Sequence, residues 1–243
     1  MKYELETIPV WDGVRSGSEC FLCDLMQQAH THAVAYYLGT SVMHPETRVE
    51  VNQIGFCPHH WDDLITAGKP QSLALISHTY LQQTLSQLTP LISRIEKGKP
   101  GRTLKKSVQD LLTAVHDREQ GCLICKKMEG RLLRYTYTVI YLWQKDLEFR
   151  DELSQSKGFC LHHMESLLRM APSILDAKEH QVFSAALTTL VHQNLQRLEE
   201  EVLWTTQKYK AEHTHSPWNG CEDAQKRLVN KLIGVGRIFV ASS

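Results

Sequence analysis

Apolar positions along this chain recur at three- and four-residue steps, the spacing that places side chains on one face of an α-helix. A first such segment begins at Cys20 and is expected to end near Gly39, with apolar positions at Leu22, Leu25, Met26, Ala29, Ala33 and Tyr36. Two short helices are predicted next, at 46–53 and 58–67. Pro90 predicts a kink or a split in the long helix that follows, whose apolar positions are Leu81, Leu85, Leu88, Leu91 and Ile95.

The second half of the chain repeats this order of helices. The same spacing predicts helices over 103–117, from Cys122 to Leu142, over 146–156, from Cys160 to Met170, and over 178–210. Residues 1–19 carry two glycines and two serines and are expected to be irregular, whereas 211–220 is predicted to be a loop and 221–233 one more helix. Because no segment of convincing length alternates apolar and polar residues, the predicted fold class is all-α.

One motif occurs twice in the chain. Gly55-Phe56-Cys57-Pro58-His59-His60 returns as Gly158-Phe159-Cys160-Leu161-His162-His163, and each copy follows a CxxC, at Cys20 and Cys23 and at Cys122 and Cys125. There are 33 residues between Cys23 and Cys57 and 34 between Cys125 and Cys160. A CxxC and CxxH combination that repeats at nearly the same spacing is rarely accidental.

The match between the halves extends beyond the motif and predicts internal duplication of a helical unit. Glu46-Thr47-Arg48 corresponds to Glu148-Phe149-Arg150, and the clearest linker, 97–102, lies between the copies. The expected fold is an internally duplicated helical bundle with two metal-clamped helix-pair units. Its expected parts are an N-terminal irregular segment (1–19), a first repeat (20–98), a linker, lead-in helix and second repeat (99–210), and a C-terminal tail with a short helix (211–243).

The motif residues have the chemistry of a metal site. Positions i and i+3 in the first turn of a helix share a face, so CxxC presents two sulfurs to one point and CxxH presents a sulfur and an imidazole. The helix N-terminus lowers thiol pKa, and three thiolates with one histidine are a common tetrahedral zinc set. We therefore predict two zinc ions per chain, with each CxxC facing the CxxH that follows it. The predicted ligands are Cys20, Cys23, Cys57, His60, Cys122, Cys125, Cys160 and His163.

Several roles stay open at this stage. An iron–sulfur cluster is the alternative cofactor. His59 and His162 either point away from the metal, which the i+2 position favours, or serve as extra ligands or bases. The Glu-x-Arg pairs either stabilise a negatively charged site or form surface ion pairs. Other histidines on helices (His30, His32, His78, His180 and His192) are expected to be ordinary helix residues, and Cys221 a buried or bystander thiol.

Composition restricts the function classes. Lys+Arg and Asp+Glu are 27 each, so nucleic-acid binding through a basic surplus is not expected. The chain has no apolar run long enough to span a membrane and no signal-peptide pattern, which predicts a cytoplasmic protein. Closely spaced cysteines in that compartment indicate metal or redox chemistry more often than disulfides.

The chain has duplicated CxxC and GFCxxH motifs, with a Glu-x-Arg sequence before each GFCxxH. In this it resembles an uncharacterised bacterial family of cysteine-rich helical proteins, a domain of unknown function. The resemblance covers about residues 15–200 and includes all eight motif residues. It implies metal binding and no particular activity.

The favoured function is a non-enzymatic scaffold with two structural zinc sites, which binds an unknown protein or small-molecule partner. A thiol or metal redox sensor, or a metal-handling protein, is the alternative. A metalloenzyme is less favoured, because the chain has no HExxH, no Ser-His-Asp order and no convergent carboxylates.

Overall fold

The computed structural model describes residues 6–235, and within them the chain forms eleven α-helices, three short 3₁₀ turns and no strand. The all-α prediction is therefore confirmed. The helices are α1 Thr7–Arg15, α2 Phe21–Tyr37, α3 Pro45–Ile54, α4 Pro58–Thr66, α5 Pro70–Glu96, α6 Arg102–Glu119, α7 Leu123–Lys145, α8 Leu147–Gln155, α9 Leu161–Met170, α10 Ala177–Lys208 and α11 Ala224–Ile233. No helix of the described chain is both long and apolar enough to cross a membrane.

The chain divides into two compact units whose boundaries differ from those of the sequence repeats. The central unit is residues 30–129, and the split unit comprises 1–29 and 130–243, described here as 6–29 and 130–235. Helices α2 and α7 each begin in one unit and end in the other. The two sequence repeats, 20–98 and 99–210, thus each contribute to both units, and their origin by duplication stays a prediction.

Helix α5 organises the central unit. It packs against α3, α4 and α6, and it continues as one helix through Pro90, so of the expected kink or split the split does not occur. The segment 97–101 connects α5 to α6 inside this unit rather than separating two units. Arg118 of α6 joins the neighbouring helices: its guanidinium donates to Asn52 O at 2.8 Å and to Thr84 Oγ1 at 2.7 Å, and lies 4.1 Å from the ring centre of Tyr80.

Helices α9, α10 and α11 pack together in the split unit, and α1 packs against α8. The prediction that residues 1–19 are irregular is wrong, because Thr7–Arg15 is helical. Val10 and Val14, four residues apart, are buried, and the Trp11 ring meets Phe149 edge-on at 5.2 Å. Gly13 lies within this helix. A Cβ at this position would be 2.7 Å from a ring carbon of Phe21, so a larger residue would collide with that ring. A glycine that suggested a loop thus permits close packing.

Candidate metal centres

Four side chains of the types that ligate metals meet inside the split unit. Nδ1 of His163 is 3.3 Å from the sulfur of Cys20, 3.4 Å from that of Cys23 and 3.3 Å from that of Cys160. The sulfurs of Cys23 and Cys160 are 3.7 Å apart. All four residues are buried, with at most 4% of any one exposed. We call this cluster the split-unit centre.

A second cluster of the same composition lies in the central unit. Nδ1 of His60 is 3.1 Å from the sulfur of Cys57, 3.2 Å from that of Cys122 and 3.3 Å from that of Cys125. The sulfurs of Cys57 and Cys125 are 3.8 Å apart. Here only the histidine is buried, and the three cysteines are partly exposed. We call this cluster the central centre.

These clusters correct the expected pairing of the motifs. The sequence prediction paired each CxxC with the CxxH that follows it in the same repeat. Instead, Cys20 and Cys23 meet the CxxH of the second repeat, and Cys122 and Cys125 meet that of the first. Local spacing cannot distinguish these arrangements, because both copies offer the same donors at the same helical positions.

In each CxxC and in each CxxH, the first residue is a cysteine that lies immediately before a helix. Cys57 and Cys160 are the residues that cap α4 and α9, and Cys20 and Cys122 directly precede α2 and α7. In the α9 turn the Cys160 sulfur accepts a hydrogen bond from the backbone N–H of His163 at 3.4 Å. The free N–H groups and the dipole of a helix N-terminus stabilise negative charge, so this location favours thiolates.

The glycine before each Phe-Cys has a backbone conformation that suits glycine. Gly55 has φ +73° and Gly158 has φ +72°. A Cβ on Gly55 would lie 2.6 Å from the Tyr80 ring, and one on Gly158 would lie 3.1 Å from Cγ of Leu190. Both the left-handed backbone and the close packing therefore require glycine where the chain enters the ligand helix.

Aromatic side chains accompany both centres. Phe159, fully buried, packs against Phe21 with ring centres 5.1 Å apart, and both are neighbours in sequence of ligands of the split-unit centre. In the central unit Phe56 contacts Tyr37 at 5.0 Å and Trp61 at 5.1 Å. The motif phenylalanines thus anchor the segments that carry the ligands.

The donor geometry fits a zinc ion. Zinc–sulfur bonds of ~2.3 Å in a tetrahedron separate the sulfurs by about 3.8 Å. The two sulfur–sulfur distances, 3.7 and 3.8 Å, agree with this value. A disulfide would need about 2.05 Å, and the cysteines are all free. Each set is complete with four donors, so neither requires a further ligand.

Electrostatics in the clusters favour a cation. In the split-unit centre, hydrogen bonds from Cys20 and Cys23 lower the pKa of Cys160, while burial raises the pKa of Cys20 and the hydrogen bond to Cys160 raises that of Cys23 to about 12. The central centre is similar: a hydrogen bond from Cys125 lowers the pKa of Cys122 to about 3, while the pKa values of Cys125 and Cys57 are raised. Three thiolates so close together repel one another, so a bound cation would favour their joint ionisation.

A histidine and a carboxylate that sequence reasoning missed lie beside the central centre. Nε2 of His30 is 3.1 Å from Oδ2 of Asp63, and the His30 and His60 rings are 5.4 Å apart. Ligand atoms of these three residues lie within 4.8 Å of one another. Asp63 is three residues after His60 on α4, so the sequence alone could have placed it on the same helix face as that histidine. His30 was expected to be an ordinary helix residue, and only the tertiary fold brings it there.

The remaining candidates lie outside the two four-residue clusters. His59 is 4.0 Å from Asp63 through Nε2, and neither it nor His162 is among the clustered donors, which agrees with the favoured reading of the i+2 position. Arg150 donates to Trp143 O at 2.9 Å and lies over the Trp143 ring, while Glu148 pairs with Arg15 on the surface. The second Glu-x-Arg step thus serves helix packing. Cys221 is buried away from both clusters, as expected.

Comparison with known proteins gives a family and no function. The chain matches the Family of unknown function (DUF6062) over residues 1–237, and it belongs to that family. No curated protein and no solved structure matches it.

Proposed function

We propose that each cluster binds one zinc ion through three thiolates and one imidazole, and that the two ions stabilise a cytoplasmic helical scaffold that binds a protein partner. The observation that carries the proposal is the convergence of eight donors into two sets of four, with the ligand atoms of each set within 4.8 Å of one another. Soft thiolates with one imidazole suit zinc, and a set of four protein ligands is typical of structural rather than catalytic zinc.

The structural role follows from where the donors come from. The split-unit centre joins the N-termini of α2 and α9, and the central centre joins those of α4 and α7. Each ion would hold together two helices that are far apart in sequence. Zinc that binds the folded chain alone adds its binding free energy to folding.

An exposed apolar surface in the central unit supports the partner-binding part of the proposal. Helix α6 buries no residue fully, and α5 buries only Ile76. Both helices expose large apolar side chains at helical spacing, namely Leu81, Leu85, Ile92, Val108, Leu112 and Val115. Where such side chains form one contiguous surface, that surface marks a protein interaction site more often than a plain solvent-facing surface.

The metal part is tested by native mass spectrometry of protein purified without chelator, with elemental analysis and a visible spectrum. Two zinc ions per chain and a colourless solution are expected. Iron with absorption near 400 nm would replace zinc by an iron–sulfur cluster, and metal-free protein would refute the proposal. For the partner surface, Leu85→Glu or Leu112→Glu should abolish capture of a partner while zinc content stays at two.

A further inference from the structure

A buried lysine contacts the two chain segments that lead into the split-unit centre. Lys231 of α11 is 0% exposed and is the sole buried lysine among residues 6–235. Its ammonium group donates to Glu19 O at 2.6 Å and to Lys157 O. Residue 19 directly precedes the ligand Cys20, and residue 157 directly precedes the Gly158 turn into α9. One side chain therefore fixes the backbone of both segments that carry the ligands.

Ionic contacts strengthen this arrangement. The Glu19 carboxylate is 3.7 Å from the Lys231 ammonium, 2.6 Å from Arg197 of α10 and 3.3 Å from Arg227 of α11. Glu201 of α10 pairs with the same two arginines. Zinc with three thiolates carries a net charge of about minus one, so a nearby ammonium group lowers the cost of burying it. Helices α10 and α11 thus hold Glu19, the residue directly before the ligand Cys20, in place.

The central centre is not held by a buried lysine in this way. Its three cysteines are partly exposed, and no buried lysine lies in the central unit, all of which is described. Its polar neighbours are His30 and Asp63, whose side chains are 13% and 15% exposed. An incoming ligand can reach these thiolates from solvent, whereas the thiolates of the split-unit centre are covered.

We infer that the central centre is the exchangeable zinc site, which passes its ion to thiol or chelating acceptors, and that Lys231 locks the ion of the split-unit centre in place. The inference rests on the proposed zinc binding. Exchange is a ligand substitution without a change of oxidation state: each zinc–sulfur bond that breaks is replaced by a bond to an acceptor donor atom, and the released thiolate takes a proton from water. Exposure of the leaving sulfur sets how readily the acceptor enters.

The test uses the full chain with two zinc ions. Excess 4-(2-pyridylazo)resorcinol records zinc release, and N-ethylmaleimide added at intervals marks the cysteines that have lost zinc, which peptide mass spectrometry identifies. Two phases of one equivalent each are expected, with Cys57, Cys122 and Cys125 labelled at least about tenfold sooner than the split-unit cysteines. A single phase, or earlier labelling of Cys20, Cys23 and Cys160, would overturn the inference. Protein without zinc would instead refute the proposed metal binding.

Lys231→Met tests the lock, with Lys157→Met as the matched control. The control removes an exposed ammonium that is 3.6 Å from Glu19 but keeps the Lys157 carbonyl that Lys231 uses. Lys231→Met should accelerate the slow phase about tenfold or more, because two charged hydrogen bonds are lost, and leave the fast phase unchanged. Lys157→Met should change neither phase by more than about twofold. An unchanged slow phase in Lys231→Met would refute the lock. If that variant does not fold, Lys231→Arg, which keeps a charged donor, should still fold and keep a slow phase within about threefold of the unmodified chain, and a slow phase lost in a folded Lys231→Arg would refute the lock as a charged contact.

Discussion

Cys160→Ser separates the crossed pairing of the motifs from pairing within each repeat. The Cys160 sulfur lies in the split-unit centre, 3.7 Å from that of Cys23 and within hydrogen-bonding reach of His163. Serine offers a shorter, harder donor that zinc accepts poorly beside thiolates. The variant should keep one zinc ion, in the central centre, and lose the other. The decisive question is which cysteines become reactive.

The magnitude of the effect follows from burial and from zinc energetics. Cys20 is 4% exposed and Cys23 1%, so both are protected from alkylation while the centre is intact. A structural zinc contributes ~10–16 kcal/mol of apparent binding free energy in zinc-finger peptides, which is comparable to the ~5–15 kcal/mol that stabilises a whole domain. Loss of this ion should therefore open the split unit enough for both thiols to react fully.

The assay is native mass spectrometry followed by iodoacetamide labelling and peptide mapping. In Cys160→Ser, labelling should reach Cys20 and Cys23, and Cys122 and Cys125 should react no faster than in the unmodified chain. Faster labelling of Cys122 and Cys125, with protected Cys20 and Cys23, would refute the crossed pairing. Cys221→Ser, a buried cysteine outside both clusters, is the control and should keep two zinc ions.

Three further substitutions, two of them with a control variant, test particular contacts. Gly158→Ala should lower the free energy of unfolding in urea by about 3 kcal/mol, through backbone strain and contact with α10, whereas Gly17→Ala, with φ +69° and open space around it, should cost about 1–2 kcal/mol from strain alone. Asp63→Asn should weaken zinc binding at the central centre about 10–100-fold in a competition titration, because it disturbs the polar contacts beside a ligand histidine, and leave the other centre unchanged. Arg118→Met should destabilise the chain by about 2–3 kcal/mol in the urea assay, since two charged hydrogen bonds are lost, while the exposed Arg94→Met should stay within about 0.5 kcal/mol.

The helices were predictable because their signals are local. Glycine and proline mark the ends of α2, α3 and α4, and apolar spacing marks their buried faces. The errors arise where a distant contact overrides a local signal. The 7–15 segment is helical because Val10 and Val14 find a buried face, despite its glycine. Pro90 lacks a backbone N–H, yet the 27-residue helix α5 continues through it.

The cysteines and histidines that cluster were predictable for the same reason, and their surroundings were not. A cysteine and a partner three residues later share a helix face whatever the rest of the chain does. Which CxxC meets which CxxH depends on the path of the whole chain. The contacts of His30 and Lys231 could not be predicted from the sequence either, because each residue comes from a helix that is distant along the chain. His30 of α2 lies beside the central centre, and Lys231 of α11 contacts a segment of the split-unit centre.

The crossed pairing has the reciprocal form expected of a fused symmetric dimer. In a twofold dimer, if surface i of one copy contacts surface j of the other, then j of the first contacts i of the second. Here the CxxC of the first repeat meets the CxxH of the second, and the CxxC of the second meets the CxxH of the first. A single repeat that dimerised through two zinc ions would produce this pattern, and joining the copies through a chain such as 97–101 would preserve it. Pairing within each repeat would instead be expected of two domains that fold separately. The reciprocity agrees with the predicted duplication, which stays a prediction, and each compact unit takes one CxxC and one CxxH from different repeats.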